Sequence, residues 1–520
     1  MEKPTSRRRR AETRGSVRTR GPVSESDVRD ATRPAGQPSG PAAGLPRGVW
    51  AAFGLAMALR TVLALRTEVI NTDGPMYIGL ARVFLDEGVL RGIERSGFAP
   101  VYTGLIALGG ALGLPLHVSA YGVTCLLGSL VVFPLYALAR AAFDARVALL
   151  TVCLYAFLPV PARLSASLYT TAPFLFLTLS SLALSARLAR APSATCALAA
   201  GFTAALAYAT RPDGLLLLPF VLAGAAVASG WRPRGRVALA VLALLPVIAL
   251  VVALQQAAGT PEASPLTRKL SRAGWERFLD VLVPTTYVLK NVWEDVAESI
   301  FVPFIPFATI GFLAWAPRAG RMLRAAALAL CVLWVFSFFK YAGTTGGMSK
   351  RYAAPLAVVL LPWTVQGLLL LAAGVTWATR RAAAQTPTVV VVLACAACVP
   401  KLMRTHEGDR IVEKAAGEYL RTLPEPRGPI LCGSTCVPYY AEVDTRSLRI
   451  ALLPPARVFP RLRREGVRYV VRDRGLVGFA PEFARSLGPP DATLVREVRL
   501  PGCKDVVEVF RVEYPGSSGD

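Results

Sequence analysis

A carboxylate close to a predicted membrane surface is the first residue of this chain whose position could support chemistry. The stretch INTDGPMYIGLAR starts directly after the first long apolar run and carries Asp73 and, four residues later, Tyr77. Thr72 and Asp73 are residue types that cap helices, and Pro75 suits a first helical turn. The pattern predicts a helix with Asp73 and Tyr77 on one face. A capped interfacial helix without chemistry is the plain alternative.

Polar loops between other apolar runs supply further residues that could gather around Asp73. The candidate substrate-binding residues are Tyr77, Arg163 in PVPARLSASLY, Arg211 and Asp213 in ATRPDG, and Lys340, Lys350, Arg351 and Tyr352 in KYAGTTGGMSKRYAAP. A positioned carboxylate can act as a general base, and fixed cations stabilise the charge of a departing phosphate. One acid and several cations, without a pattern of metal ligands in the sequence, fit a substrate that carries a lipid phosphate.

Several of these residues also have a purely structural interpretation. Arg163 and Arg211 could anchor helix ends by extending their side chains to the interface. Asp213 could cap the span that follows it. Only two histidines are present, His117 and His406, far apart in the sequence, so a His-based zinc or iron site is not expected.

The composition places these loops in a polytopic membrane protein. Of the 520 residues, 53% are hydrophobic, and the mean hydropathy is +0.45. The apolar residues come in blocks close to the length of about 20 residues that spans a bilayer. The net charge of +24 is concentrated in an N-terminal arm and in short clusters between apolar blocks. That distribution orients a membrane protein, so we expect contact with the lipid bilayer and not with nucleic acid.

Arginine clusters between the apolar runs predict the topology. The runs fall at 49–65, 98–116, 119–139, 147–162, 172–186, 194–209, 214–230, 237–256, 299–316, 325–339, 353–375 and 387–400. The clusters are Arg140 and Arg146; Arg187 and Arg190; Arg232, Arg234 and Arg236; Arg318, Arg321 and Arg324; and Arg380 and Arg381. All five lie inside only if 98–116 rests along or dips into the outer interface, and the positive-inside rule favours that arrangement. We therefore predict about eleven transmembrane helices, a cytoplasmic N-terminus and an outer C-terminus.

Three regions follow from this topology. Residues 1–48 form a disordered, basic cytoplasmic arm; 49–400 form the transmembrane region with its outer loops; and 401–520 form a small extracytoplasmic α/β domain. In the last region IVEKAAGEYLRTLP predicts a helix, PILCG a strand, VFPRLRREGVRYVVRDRG a helix and a strand, and ATLVREVRL and DVVEVFRVEY further strands. Acceptor binding and structural capping remain open as its role. The stretch ASPLTRKLSRAGWERFLDVL is predicted to be an amphipathic segment at the outer interface.

Three cysteines of the predicted outer domain could pair in an oxidising compartment. Cys432 and Cys436 are four residues apart in CGSTC, and Cys503 lies in a turn between two predicted strands. We expect one disulfide, with Cys432–Cys436 ahead of a pair that uses Cys503. Three unpaired, partly buried thiols are the alternative.

The order of these features resembles the GT-C superfamily of membrane glycosyltransferases. The similarity is to the family-39 type, which includes protein O-mannosyltransferases, aminoarabinose transferases and rhizobial lipopolysaccharide sugar transferases. The matching pieces within 49–400 are TDGPMYIGLARVFLDEGVL, FAPVYTGLIALGGALGL, TRPDGLLLLP and KRYAAPLAVVLLP. The family's catalytic acid in the first outer loop corresponds to Asp73. The family often has Asp-Glu there, where this chain has Asp73-Gly74, and its usual second acid has no counterpart in SLYTTAPFLF.

The resemblance implies a bacterial inner-membrane glycosyltransferase. A sugar would pass, with inversion, from a polyprenyl-phosphate donor to a glycan, lipid or protein acceptor at the outer face. Asp73 would accept the proton of the acceptor hydroxyl, Tyr77 would pack or hydrogen-bond beside it, and the cations would stabilise the leaving phosphate. No cofactor is expected, and a divalent ion stays open because some GT-C members use one. A secondary transporter and a non-catalytic scaffold are the alternatives, although the sequence shows no internal repeat and few charges within its spans.

Overall fold

The computed structural model describes residues 45–96, 99–228, 232–257, 286–314, 318–345, 349–379, 386–404, 410–423, 428–446 and 448–514. The predicted disordered arm falls almost entirely outside these residues, as does the predicted amphipathic segment of the long outer loop. The first helix begins at Arg47, close to the predicted end of the arm.

Helices form most of the chain up to residue 403. In chain order they are α1 Arg47–Leu65, α2 Gly74–Asp86, α3 Val89–Ser96, α4 Pro100–Ala111, α5 Leu116–Leu130, α6 Val132–Ala142, α7 Ala145–Phe157, α8 Pro159–Ser165, α9 Thr171–Arg190, α10 Ala194–Thr210, α11 Leu218–Ala226, α12 Pro233–Ala257, α13 Thr286–Ile300, α14 Ile305–Leu313, α15 Arg318–Thr345, α16 Lys350–Thr379 and α17 Thr386–Met403. Short 3-10 turns at Pro212–Leu217 and Val302–Phe304 precede α11 and α14.

Five helices of the described chain are long and apolar enough to cross a membrane, and two bent pairs would raise that number to seven. The five are Arg47–Leu65, Leu116–Ala142, Thr171–Arg190, Pro233–Leu254 and Lys350–Thr376; the pairs are Ala145–Phe157 with Pro159–Ser165, and Leu289–Ile300 with Val302–Leu313. Shorter apolar helices lie at Pro100–Ala111, Ala194–Thr210, Pro212–Ala226, Leu323–Phe339 and Thr388–Met403. Eleven spans would require all of these except Pro100–Ala111 to cross, so the predicted number remains a proposal.

Helix α4 occupies the segment that is predicted to lie at the outer interface. Its 12 residues span about 18 Å, well short of the hydrocarbon core of about 30 Å. The chain then reverses at Gly113, whose φ of +87° suits glycine. The Ser119 hydroxyl of α5 donates a hydrogen bond of 2.8 Å to the Ile106 carbonyl of α4. Helix α4 is therefore a short helix folded back on the next one.

Proline breaks the pair α7–α8 just where a candidate cation follows. The two helices meet at 62° across Leu158, which is extended (φ −62°, ψ 116°). A residue before proline avoids the helical region because of a clash with the proline ring, and Pro159 follows Leu158. The bend places Arg163 in a separate short helix.

Glycines let several apolar helices approach at backbone distance. A Cβ at Gly201 in α10 would lie 1.9 Å from the Ala243 carbonyl oxygen of α12, and one at Gly367 in α16 would lie 2.0 Å from the Phe307 oxygen of α14. Such small-residue contacts are typical of helix packing in membranes, because they allow close van der Waals contact.

A mixed four-stranded sheet follows the last apolar helix. Its strands are β1 Ile430–Cys432, β2 Tyr469–Arg472, β3 Ala492–Val498 and β4 Val507–Val512, in the order β1-β2-β4-β3, with β1 and β2 parallel and the other pairs antiparallel. Helices α18 Ile411–Thr422, α19 Cys436–Ala441, α20 Pro455–Arg464, α21 Arg474–Phe479 and α22 Pro481–Ser486 surround it, with a 3-10 turn at Leu448–Leu452. Each helix and strand predicted here is found at its place. We call residues 411–514 the sheet region.

The sheet region has an apolar layer on both faces. Val458 and Leu462 of α20 pack with Val470 on one face, and Val412 of α18 packs with Val471 on the other. A third cluster joins Cys436 of α19 to Tyr77 of α2. The sheet region therefore shares a packed core with the helix that follows Asp73.

The prediction of a disulfide is wrong, because the structure has no disulfide among Cys432, Cys436 and Cys503. The first two thiols point to different backbone carbonyls, since Cys432 Sγ lies 3.0 Å from the Ser434 oxygen and Cys436 Sγ lies 3.2 Å from the Ile70 oxygen. Close sequence spacing did not bring the thiols together, because the turn after β1 directs Cys436 toward another part of the chain.

Candidate active site

Asp73 precedes α2 as its N-cap residue, as the sequence predicts. Its side chain makes no capping hydrogen bond, so the carboxylate is available for contacts outside the helix. The adjoining turn is tight, since a Cβ at position 74 would lie 2.5 Å from the Ile70 side chain. Gly74 therefore leaves room for the turn from which Asp73 emerges.

Asp73 and Arg351 form an ion pair, in which the Arg351 guanidinium donates to the Asp73 carboxylate. Their side chains are 23% and 24% exposed, respectively. The Arg351 guanidinium also lies 5.5 Å from the ring centre of Tyr169. The structure thus joins the predicted base to one of the predicted cations at a site that solvent still reaches.

Tyr77 lies behind Asp73 rather than in an open site. It is 3% exposed, and its ring packs edge-on against Tyr102 with centroids 4.9 Å apart. Burial, followed by the negative charge of Asp73, raises the pKa of Tyr77 to about 12. Tyr77 therefore stays protonated at neutral pH, and the structure gives it a packing position close to the acid.

Arg211 connects Asp213 and Tyr352 to the backbone of Arg351. Arg211 is 5% exposed, pairs with Asp213 at 2.8 Å, and donates a hydrogen bond of 3.1 Å to the backbone oxygen of Arg351. Its guanidinium also lies 4.4 Å from the ring centre of Tyr352. Asp213, for which capping was the alternative, uses its carboxylate for this pair. Arg211 and Asp213 therefore hold the first turn of α16, which contains Arg351 and Tyr352.

A cavity of about 470 Å³ opens beside Arg351. Its charged lining residues are Arg66, Glu68, Arg163, Asp295, Glu298, Lys350, Arg351, Lys401 and Arg404. Six of these are cations and three are acids, so the wall has a surplus of positive charge. Of the predicted binding residues, Arg163, Lys350 and Arg351 line the cavity, whereas Tyr77, Arg211, Asp213 and Tyr352 do not belong to its described lining.

Glu298 holds two of the cavity lysines together. It forms an ion pair with Lys350 and another, of 3.0 Å, with Lys401. Ser299 donates a hydrogen bond of 3.2 Å to the Lys350 carbonyl, and Arg163 donates one of 3.4 Å to the Lys401 carbonyl. Contacts among α8, α13, α16 and α17 therefore fix the positions of the cations.

Sequence reasoning missed Lys401, Asp295 and Glu298. The available signal was VWEDVAESIF, a short charged helix that ends at an apolar segment and carries two acids three residues apart, on one helical face. Lys340 lies in α15, and its side chain is outside the described part of the structure. Within the described residues, no group of three or more His, Cys, Asp or Glu side chains could hold a metal ion.

One family model matches part of the chain. Residues 98–255 match the family described as dolichyl-phosphate-mannose-protein mannosyltransferase. That segment contains Arg163, Arg211 and Asp213 but not Asp73. No curated protein matches the chain at a significant level.

Solved membrane-protein structures resemble most of the chain. ArnT from Cupriavidus metallidurans bound to undecaprenyl phosphate aligns with a TM-score of 0.57 and 15% identity over 89% of this chain and 97% of ArnT. The Archaeoglobus fulgidus oligosaccharyltransferase aligns with a TM-score of 0.52 and 14% identity over 82% of this chain and 69% of that protein. The arabinofuranosyltransferase AftD from Mycobacteria aligns with a TM-score of 0.52 and 14% identity over 91% of this chain and 42% of AftD.

These similarities agree with the resemblance inferred from the residues. At 14–15% identity the structural matches establish the fold, and the family model adds a match in sequence. The chain has the helical fold of the GT-C superfamily of membrane glycosyltransferases.

Proposed function

We propose that this protein is a glycosyltransferase that moves a sugar from a polyprenyl-phosphate donor to an acceptor at the outer face of the bacterial cytoplasmic membrane. The observation that carries the proposal is the ion pair between Asp73 and Arg351, in which Arg351 also lines a cationic cavity. The fold adds support, because a structure with the same fold, ArnT, holds undecaprenyl phosphate.

Asp73 acts as the general base in the proposed reaction. Its carboxylate takes the proton of an acceptor hydroxyl while that oxygen attacks the anomeric carbon of the sugar. The bond between this carbon and the phosphate oxygen breaks, and its electron pair stays on the phosphate. A single displacement of this kind inverts the anomeric centre. Arg351 keeps the Asp73 carboxylate oriented before the acceptor arrives.

The cavity cations receive the negative charge of the leaving group. Lys350, Lys401 and Arg163 come from three different helices and converge on the cavity. Fixed cations in a partly desolvated site stabilise developing charge without reorganisation during the reaction. The chain needs no cofactor in this scheme, and the acceptor is a glycan, lipid or protein of the envelope.

Contacts between loops support the outer location of Asp73. Tyr77 hydrogen-bonds to Thr170, which precedes α9, and Arg190 at the other end of α9 contacts the Ala141 backbone oxygen. Helix α9 is long enough to span, and with α9 across the membrane two arginine clusters lie on the side opposite to Asp73. The positive-inside rule favours the arrangement with these clusters in the cytoplasm and Asp73 outside.

Reconstituted protein tests the proposal. Vesicles that contain the purified chain are supplied with labelled polyprenyl-phosphate sugars and with envelope lipid and glycan fractions. We expect label to move to an acceptor, with loss of transfer in Asp73→Asn. Proton-coupled uptake without transfer would instead identify a transporter, and neither activity would identify a scaffold.

A further inference from the structure

We propose that the sheet region positions Asp73, by holding the turn at residues 68–72 through Thr435, Cys436 and Tyr440. The kinetic part of this inference rests on the proposed function. It assigns a role to the sheet region, for which the sequence leaves acceptor binding and structural capping open.

Both backbone groups of Ile70 are held by α19. The Ile70 N–H donates a hydrogen bond of 2.9 Å to the Tyr440 hydroxyl, and the Ile70 carbonyl accepts one of 3.2 Å from the Cys436 thiol. Ile70 is 4% exposed and Cys436 is fully buried. A buried turn whose donor and acceptor are both satisfied by one helix cannot shift without breaking these bonds.

Two further contacts extend the attachment along the turn. The Thr435 hydroxyl donates to the carbonyl of Thr72, the residue directly before Asp73. The Lys414 ammonium group of α18 donates a hydrogen bond of 3.2 Å to the Glu68 carbonyl. The sheet region thus contacts the backbone at three positions within five residues, and the last of them adjoins the catalytic acid.

The segment that makes these contacts is itself fixed. Asp473, 1% exposed, accepts hydrogen bonds of 2.7 Å from the backbone N–H groups of Ser434 and Leu476. A Cβ at Gly433 would lie 2.1 Å from the Leu476 nitrogen, so glycine is needed for the backbones to meet. The carboxyl ends of the parallel strands β1 and β2 are therefore tied together immediately before Thr435.

The opposite side of the turn is held by the loop between α8 and α9. The Asn71 amide, 1% exposed, donates a hydrogen bond of 2.9 Å to the Leu168 carbonyl and accepts one of 3.1 Å from the Leu168 N–H. The turn is therefore held between Leu168 and α19, and Asp73 projects from it toward Arg351. A misplacement of about 1 Å in a catalytic group can cost about 100-fold in rate, so this attachment matters for the reaction step.

Single hydroxyl deletions test the inference in the full chain reconstituted in lipid. Tyr440→Phe removes the acceptor for the Ile70 N–H, and Thr435→Val removes the donor to Thr72 at an exposed position where folding is not at stake. Thr435→Ser keeps the hydroxyl and should restore wild-type behaviour. Tyr439→Phe is the matched control, because it alters the neighbouring tyrosine of the same helix, whose hydroxyl makes no hydrogen bond to the turn in the described structure.

Two measurements are compared. Hydrogen exchange of the peptide that covers residues 68–80 should rise about fivefold at the Ile70 amide in Tyr440→Phe, which is the effect of losing one hydrogen bond. In sugar transfer, kcat should fall about tenfold in Tyr440→Phe and Thr435→Val. The donor KM should stay at the wild-type value, because the cavity cations lie on other elements. A purely structural role would not separate kcat from KM in this way.

The outcomes separate this inference from the proposed function. Unchanged exchange in Tyr440→Phe, or increased exchange with unchanged kcat, would overturn the positioning role. If exchange increases in Tyr440→Phe but the wild-type protein transfers no sugar, the attachment of the turn is established and the proposed function is refuted instead.

Discussion

Arg351 contacts the Asp73 carboxylate across 278 residues of sequence. The pair joins the residue that precedes α2 to the first turn of the long apolar helix α16. Arg211 also holds this turn, through its hydrogen bond to the Arg351 carbonyl. The contact fixes the direction of the Asp73 carboxylate, and a general base must be held within reach of the proton that it takes. Asp73 and Arg351 have different proposed roles, so substitutions of the two residues should have different effects.

Asp73→Asn should lower sugar transfer by about 10²- to 10⁴-fold, because the amide cannot accept the proton of the acceptor. The measurement is the initial rate of transfer at saturating donor, with the amount of folded protein checked by size-exclusion chromatography. Asp86→Asn, at the exposed end of the same helix, serves as control and should keep its activity. Transfer by Asp73→Asn within a few-fold of the wild type would remove Asp73 from the reaction.

Lys350→Ala and Lys401→Ala should each weaken donor binding or turnover about tenfold, since a charge-assisted hydrogen bond to phosphate contributes about 1.5–3 kcal/mol. Donor titrations at fixed acceptor measure the effect. Lys290→Ala is the control, because Lys290 lies on α13 at the surface with 72% of its side chain exposed. Normal donor kinetics in both cavity variants would place the donor phosphate elsewhere.

Arg351→Ala and Arg211→Ala should separate function from stability. Loss of Arg351 should reduce turnover about tenfold or more, and Arg351→Lys should restore part of it, because an ammonium group lacks the planar fork of the guanidinium. Loss of Arg211 leaves Asp213 without its buried partner, which typically costs about 3–5 kcal/mol. Thermal unfolding should therefore shift to lower temperature in Arg211→Ala more than in Arg351→Ala. An equal shift in the two variants would contradict this division.

Reporter fusions should give opposite signals on the two sides of the last apolar helix. A fusion after Arg381 should behave as cytoplasmic and one after His406 as periplasmic, because the arginine clusters are predicted to stay inside. The measurement is paired alkaline phosphatase and fluorescent-protein activity. The reverse pair of signals would show that the segment containing α4 crosses the membrane.

All three thiols of the sheet region should be alkylated in unfolded protein without reductant, because the structure contains no disulfide among them. In the folded protein Cys432 should react slowest, since burial raises the pKa of its thiol well above the usual value. In the folded protein the fraction of Cys432 present as thiolate is then very small at neutral pH, and the reactivity of this thiol should rise as the pH is raised. Peptide mapping by mass spectrometry measures both effects, and a Cys432–Cys436 linked peptide would contradict them.

Local patterns predicted the parts of the fold that depend on neighbouring residues. The start of a helix after Asp73 and the helices and strands of the sheet region follow from spacing, proline and apolar periodicity, although the Asp73 side chain makes no capping hydrogen bond. The sequence predicts that several polar loops gather around Asp73. It does not predict the pair with Arg351, because no local signal specifies which cation meets which acid.

The remaining features depend on tertiary contacts. Glu298 and Lys401 were missed because each looks like an ordinary charge at a helix end until α13 and α17 meet at the cavity. Arg60 was missed as well: it is fully buried in α1, where its guanidinium lies 4.7 Å from the ring centre of Tyr155. The disulfide prediction was wrong because the Cys436 side chain points toward the Ile70 carbonyl. The spacing in CGSTC gives no information about that contact.

The contact between Ile70 and Tyr440 also sets an order of events during biosynthesis. The two residues are 370 positions apart, and translation adds about 5–20 residues per second, so Tyr440 leaves the ribosome roughly 20 to 75 s after Ile70. During that interval the nascent chain already contains Asp73 but lacks α19, which holds the turn before it. Chains that stop before α19, through a nonsense mutation or proteolysis, keep helices α1–α17 and the cavity cations but lack the contacts that Thr435, Cys436 and Tyr440 make with the turn. The attachment of the turn before Asp73 is therefore completed only after the sheet region has been synthesised.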